Sequence, residues 1–226
     1  MFLHEGLGSV SLWRDFPARV GERTGCGIFA YSRYGYGASE ALAEKREPSY
    51  MHHEASVVLP DLLRAAQLER PILLGHSDGA SIALLFAARY PGVARALILE
   101  APHSFVEDIS VASIAAAKVA YESTDLRAKL ARHHTDVEGA FRGWNDIWLD
   151  ARFRDWNIEA DVARVTEPVL LLQGEDDQYG TAAQVRSIEA RVPNVTTRML
   201  ARCAHSPHRD RPGEVLDAIA AFVAAV

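Results

Sequence analysis

The stretch Pro71-Ile72-Leu73-Leu74-Gly75-His76-Ser77-Asp78-Gly79-Ala80-Ser81-Ile82-Ala83-Leu84-Leu85 decides how this chain reads. Ile72, Leu73 and Leu74 make a short apolar run suited to a strand buried on both faces, and Pro71 before it has no N–H to place in a ladder. Beyond the turn, Ile82, Leu85 and Phe86 recur at helical spacing until Tyr90-Pro91-Gly92 stops the helix. Between strand and helix stands Gly-x-Ser-x-Gly, the sequence form of a nucleophile elbow. A serine at the apex of such a turn is held in strained backbone with its hydroxyl pushed out of the sheet. Glycines on either side let strand and helix pass close together. Ser77 is therefore the candidate nucleophile, and a mere Gly/Ser surface turn fits this apolar context poorly.

Outward from the elbow, strand-like runs at 1–4, 27–31, 96–99, 169–172 and 195–200 join the one at 72–74. Helical apolar spacing covers 13–24, 50–68, 78–88, 182–191 and 212–225. Alternation of this kind predicts an α/β protein with a mostly parallel sheet covered by helices on both faces. From about 104 to 165 the pattern is helical without a convincing strand, and Trp144, Trp148 and Trp156 fall within it. That stretch reads as a helical cap inserted at 104–165 into a core formed by 1–103 and 166–226. The plainer role for most of these tryptophans is to pack the cap onto the core.

With 226 residues, 49% of them hydrophobic and 24% charged, the chain can bury a sizeable core as a single domain with an insertion. A formal charge of −6 without a dense Lys/Arg cluster excludes a nucleic-acid footprint. No apolar run approaches the ~18–20 residues that span a bilayer, and the N-terminus lacks the marks of a signal peptide, so no membrane partner and a cytoplasmic location are expected. Cys26 and Cys203 make no disulfide framework and no zinc spacing; free thiols, no metal and no cofactor follow. The expected partner is a small-molecule substrate, with a homodimer left open.

Four segments in register resemble the α/β-hydrolase fold superfamily, in its serine hydrolase branch with a helical cap. They are His4-Glu5-Gly6-Leu7-Gly8-Ser9 with Trp13, Ser32-Arg33-Tyr34-Gly35-Tyr36-Gly37-Ala38-Ser39, the elbow, and Gly174-Glu175-Asp176-Asp177 with Ala204-His205-Ser206-Pro207. The order nucleophile, acid, histidine is the one this fold uses. The resemblance implies His205 as base, with His208 as rival, and Asp177 as acid, ahead of Asp176 and Glu175. His76, beside the nucleophile, is expected to be structural. It further implies an oxyanion hole from the backbone N–H of Gly6, with Leu7 its neighbour, and of Asp78, which follows the nucleophile and opens a helix.

Two departures stand out. Glu5 replaces the usual glycine of the His-Gly loop, and a carboxylate there needs a partner such as Arg33. Family members also carry two or three strands before that loop, whereas Met1 lies three residues before His4; the chain reads as starting inside the third strand, leaving a frayed or partner-covered edge. The residues that carry chemistry imply a cofactor-free serine hydrolase of a small, fairly apolar carboxylic ester or thioester. A receptor-like binding protein, a lactonase and a carbon–carbon bond hydrolase are the alternatives on the same fold. Leu7, His103, Phe105, Phe141, Trp144 and Trp148 are the expected pocket lining, with Tyr34 and Tyr36 as further walls.

Overall fold

Five parallel strands lie in one sheet in the order β1-β2-β3-β4-β5, in a computed structural model that describes residues 1–226. β1 (Phe2–Leu3) leads through a 3-10 turn at Val10–Trp13 into α1 (Phe16–Thr24). α2 (Tyr50–His53), a π-helical turn at Glu54–Val58 and α3 (Leu59–Ala65) run on without a break. β2 (Ile72–His76), α4 (Asp78–Arg89) and β3 (Ala96–Glu100) follow. Four helices then precede the next strand: α5 (Asp108–Ser123), α6 (Leu126–Leu130), α7 (Val137–Trp148) and α8 (Glu159–Val162). β4 (Val169–Gly174), α9 (Ala182–Glu189), β5 (Val195–Leu200), α10 (Pro207–Asp210) and α11 (Pro212–Ala225) complete the chain.

The period of two along each strand sorts the core into two clusters, one per face of the sheet. Leu73, Leu97, Leu99, Val169 and Leu171 pack with Ile82, Leu85 and Phe86 of α4. Leu74, Ile98, Leu170 and Leu172 pack with Phe16 and Val20 of α1 and with Val215, Leu216 and Ile219 of α11. Both faces are thus dry, as a parallel sheet requires. Each fully buried aliphatic or aromatic side chain contributes about 1.5–3 kcal/mol of transfer free energy.

Two expected elements differ. The run at 27–31 is no strand: it meets the sheet through a single bridge between Phe2 and Ala30 and one hydrogen bond from Phe2 N–H to the Phe29 carbonyl, 2.8 Å. β1 offers it only two residues of ladder, and Ile28 remains 39% exposed. The helix expected over 50–68 contains the π turn and a proline. Pro60 cannot donate to the carbonyl four residues back. The Tyr90 hydroxyl donates to that carbonyl, Ser56 O, at 2.7 Å instead.

Parallel order brings the ends of β2, β3, β4 and β5 to one edge. Ser77 follows β2, Glu100 ends β3, Asp177 lies three residues past β4, and His205 lies five past β5. That edge is where open α/β sheets place their chemistry. No helix is long and apolar enough to cross a membrane.

Candidate active site

Ser77 sits between β2 and α4 with φ 53° and ψ −119°, a left-handed backbone that an L residue rarely adopts. Its neighbours explain why the turn holds. A Cβ on Gly75 would strike the backbone of Gly79 and Ala80, and one on Gly79 would strike the Leu3 carbonyl. Glycine at both positions lets α4 press against β2 and β1, and the serine takes the strain.

The Ser77 hydroxyl lies 2.9 Å from His205 Nε2, and His205 Nδ1 lies 2.9 Å from each carboxylate oxygen of Asp177. With the proton on Nδ1 donated to the carboxylate, Nε2 is free to accept from Ser77 O–H. Asp177 is held by three further donors: the N–H of Tyr179 at 2.7 Å and of Gly180 at 3.3 Å, and Gln173 Nε2 at 2.7 Å. Burial would raise its pKa, but the hydrogen bond and charge of His205 outweigh that and hold it down at about 2. Burial lowers the pKa of His205 despite Asp177, so the ring is a neutral acceptor at neutral pH.

The rivals named from sequence are placed elsewhere. His208 turns its Nδ1 to Glu100, 2.6 Å, and packs its ring against Trp13 and Phe16, with centroids 4.8 Å and 5.1 Å away. Glu175 and Asp176 are exposed. His76 donates from Nε2 to the His205 carbonyl at 2.7 Å, so it braces the loop that carries the base. Glu100, Gln173 and Tyr179 carried no sequence signal for these contacts, except that Glu100 is an ionisable residue closing an apolar strand.

The His4–Ser9 loop is fixed through one atom. The Glu5 carbonyl accepts from His4 Nδ1 at 2.7 Å, Arg33 Nη2 at 2.8 Å and Gly8 N–H at 3.0 Å. The N–H groups of Gly6, Leu7 and Asp78 have no hydrogen-bond partner within the chain. A Cβ on Gly6 would strike the Trp144 indole, so the loop lies flat against α7. Behind it, Arg33 Nη2 stands 3.9 Å from Asp78 Oδ2, which accepts from Tyr50 O–H at 2.5 Å; Trp148 Nε1 donates to that same hydroxyl at 3.1 Å. One buried network therefore links the loop before Gly6 to the residue after the nucleophile.

Arg33 is not the partner of the Glu5 carboxylate, contrary to the sequence expectation. Arg33 binds the Glu5 carbonyl, whereas the carboxylate stands 3.5 Å from His76 Nδ1 and 3.7 Å from Arg209 Nη2. The reason is burial: Arg33 is enclosed with Asp78, while Glu5 keeps an open side toward a cavity. Burial opposes ionisation of Glu5, yet His76 and Arg209 hold its pKa well below the usual carboxylate range. In return, Glu5 raises the pKa of His76 against the effect of burial.

A cavity of ≈ 200 Å³ opens at Ser77 and His205. Leu7, His103, Trp144 and Trp148, named from sequence for the pocket, line it together with Gly6. Ile114, Ala117 and Leu126 add apolar wall, and Glu5, His76, Tyr179 and Ser206 add polar wall that sequence did not single out for it. Phe105 and Phe141 do not line it. Phe141 stacks on Tyr121 with centroids 3.7 Å apart inside the core, and Phe105 bridges to Asn157. Tyr36 is buried against His4 and Tyr34 is 41% exposed, so neither is a wall. No group of three or more His, Cys, Asp or Glu side chains is placed to hold a metal ion, and both cysteines are free.

Residues 1–218 match the model of the alpha/beta hydrolase family. The chain is 23% identical over 252 residues to the sn-1-specific diacylglycerol lipase ABHD11 of Mus musculus, covering 99% of this chain and 80% of that protein. It is 22% identical over 249 residues to the 2-(acetamidomethylene)succinate hydrolase of Mesorhizobium japonicum, covering 99% and 87%. The crystal structure of proline iminopeptidase from Mycobacterium smegmatis superposes with a TM-score of 0.72 at 20% identity, covering 99% of this chain and 88% of that one.

Proposed function

The chain belongs to the alpha/beta hydrolase family, and from that premise we propose that it is a cofactor-free serine hydrolase acting on a small carboxylic ester or thioester through an acyl-enzyme on Ser77. The observation that carries this reading is the unbroken contact from Ser77 Oγ through His205 to Asp177, every step at 2.9 Å.

A serine hydroxyl is a weak nucleophile at neutral pH and needs a base at hydrogen-bond distance. His205 Nε2 takes the hydroxyl proton as Ser77 Oγ attacks the substrate carbonyl carbon. The imidazolium that forms is stabilised by the Asp177 carboxylate, which stays ionised because its pKa lies near 2. Charge gathering on the carbonyl oxygen is met by the unpartnered N–H groups of Gly6 and Asp78, the latter at the first turn of α4. His205 then returns its proton to the leaving alkoxide or thiolate. Water, deprotonated by the same nitrogen, attacks the acyl carbon and regenerates Ser77.

The helices between β3 and β4 act in this reading as a cap: α5 supplies Ile114 and Ala117, α6 supplies Leu126, and α7 supplies Trp144 and Trp148. Their apolar faces favour an uncharged acyl group. Treatment with a fluorophosphonate probe and assay with 4-nitrophenyl butyrate test the proposal. Labelling of Ser77 with turnover, both lost in Ser77→Ala, supports it; a folded chain inert to both belongs instead to the binding-protein reading.

A further inference from the structure

Glu5 is the residue that the hydrolase reading leaves without a task. It lies in the loop that supplies Gly6, its side chain keeps 19% of its surface accessible, and it lines the cavity holding Ser77. Its two basic neighbours stand off at 3.5 Å and 3.7 Å, longer than a charge-assisted hydrogen bond of about 2.7–2.9 Å. No lysine and no arginine lines the cavity. His76 does line it, but its Nε2 is committed to the His205 carbonyl and its Nδ1 faces Glu5. Arg209 lies outside the lining and also donates to the Leu12 carbonyl at 3.1 Å.

We propose that Glu5 is a charge filter in the acyl site: the enzyme takes short acyl groups that are neutral and rejects those that carry a carboxylate. An anionic acyl chain entering this space would leave water and meet an ionised carboxylate, and the cavity lining holds no lysine or arginine to pair with it. Two like charges a few ångströms apart in such a partly buried site repel, and the nearby His76 offsets part of this. The size limit is separate and points the same way. Cavities of about 150 Å³ admit a benzene-sized molecule, whereas drug-sized ligands occupy about 300–1,000 Å³. At ≈ 200 Å³, with Trp144 and Trp148 in its lining, the site suits an acyl group of a few carbons.

The proposal rests on Ser77 acting as nucleophile, and the experiment separates the two. The wild-type protein is assayed with 4-nitrophenyl butyrate, 4-nitrophenyl hydrogen glutarate and the neutral isostere of the latter, 4-nitrophenyl glutaramate, with the rate of Ser77→Ala subtracted. The expected kcat/KM for the glutaramate exceeds that for the hydrogen glutarate by about 100-fold, and Glu5→Gln narrows this ratio by about 10-fold. Glutarate turned over within threefold of its isostere overturns the filter while leaving the hydrolase intact. A wide ratio unchanged in a folded Glu5→Gln variant overturns the assignment to Glu5. Should Glu5→Gln fail to fold, Glu5→Ser removes the same carboxylate, and an unchanged ratio in that folded variant overturns the assignment to Glu5. Inertness to all three esters and to the fluorophosphonate strikes the hydrolase reading itself.

Discussion

Two histidines three residues apart in sequence each pair with a carboxylate, and the two pairs have opposite surroundings. His205 and Asp177 meet at 2.9 Å, His208 and Glu100 at 2.6 Å, and all four side chains are largely enclosed. Their environments divide them. His205 Nε2 reaches the Ser77 hydroxyl at the floor of a cavity, while the His208 ring is wedged against Trp13 and Phe16. On the proposed mechanism such a pair is a proton relay where its far nitrogen meets a hydroxyl; where it meets apolar rings it is a buried brace. The contact alone does not define the role; what the second ring nitrogen faces does.

The difference can be broken at either pair. Ser77→Ala or His205→Ala should lower kcat by about 10⁶ with little change in melting temperature, measured by ester turnover and calorimetry on the same sample. A loss below tenfold would remove the relay. Asp177→Asn should cost about 10⁴ in kcat, because an amide in that place favours the wrong imidazole tautomer. At the other pair, His208→Ala leaves Glu100 buried without its partner and should cost about 3–5 kcal/mol of stability by denaturant unfolding, with the folded fraction still turning over ester.

The pH profile sharpens the same contrast. Burial lowers the pKa of His205, so its protonation, which removes the base, sets in below 6.5. The expected log kcat/KM is level near neutrality and falls with unit slope on the acid side, with its inflection below 6.5. An inflection above 7 would place another group in the relay. The smallest effect belongs to Asp176→Asn: this side chain is exposed beside the true partner of His205, and turnover should change by less than threefold.

Much of this was legible in the chain. The elbow could be read because its chemistry is local: a glycine on each side of Ser77 answers a steric demand of neighbouring backbone. Strand and helix order could be read from periodicity, which is also a short-range property. Asp177 could be separated from Asp176 only through the family spacing. The run at 27–31 was misread because apolar residues there suggest a strand, while pairing depends on how much ladder β1 offers. Phe141 was misassigned to the cavity because helical spacing does not say which neighbour waits on that face, and here it is Tyr121.

By itself, then, the sequence determined the parallel α/β order, the strained serine and the three residue types needed for acyl transfer, since each follows from short-range sterics, periodicity or motif. Only the tertiary structure decided that Glu5 answers to His76 and Arg209 rather than Arg33, and that His208 belongs to Glu100. It also tied Arg33, Asp78, Tyr50 and Trp148 into one network behind the His4–Ser9 loop. These are pairings between residues up to 204 positions apart. The partner of a buried charge is set by which atoms remain within a few ångströms once the apolar core has closed, and no local pattern in the chain records that distance.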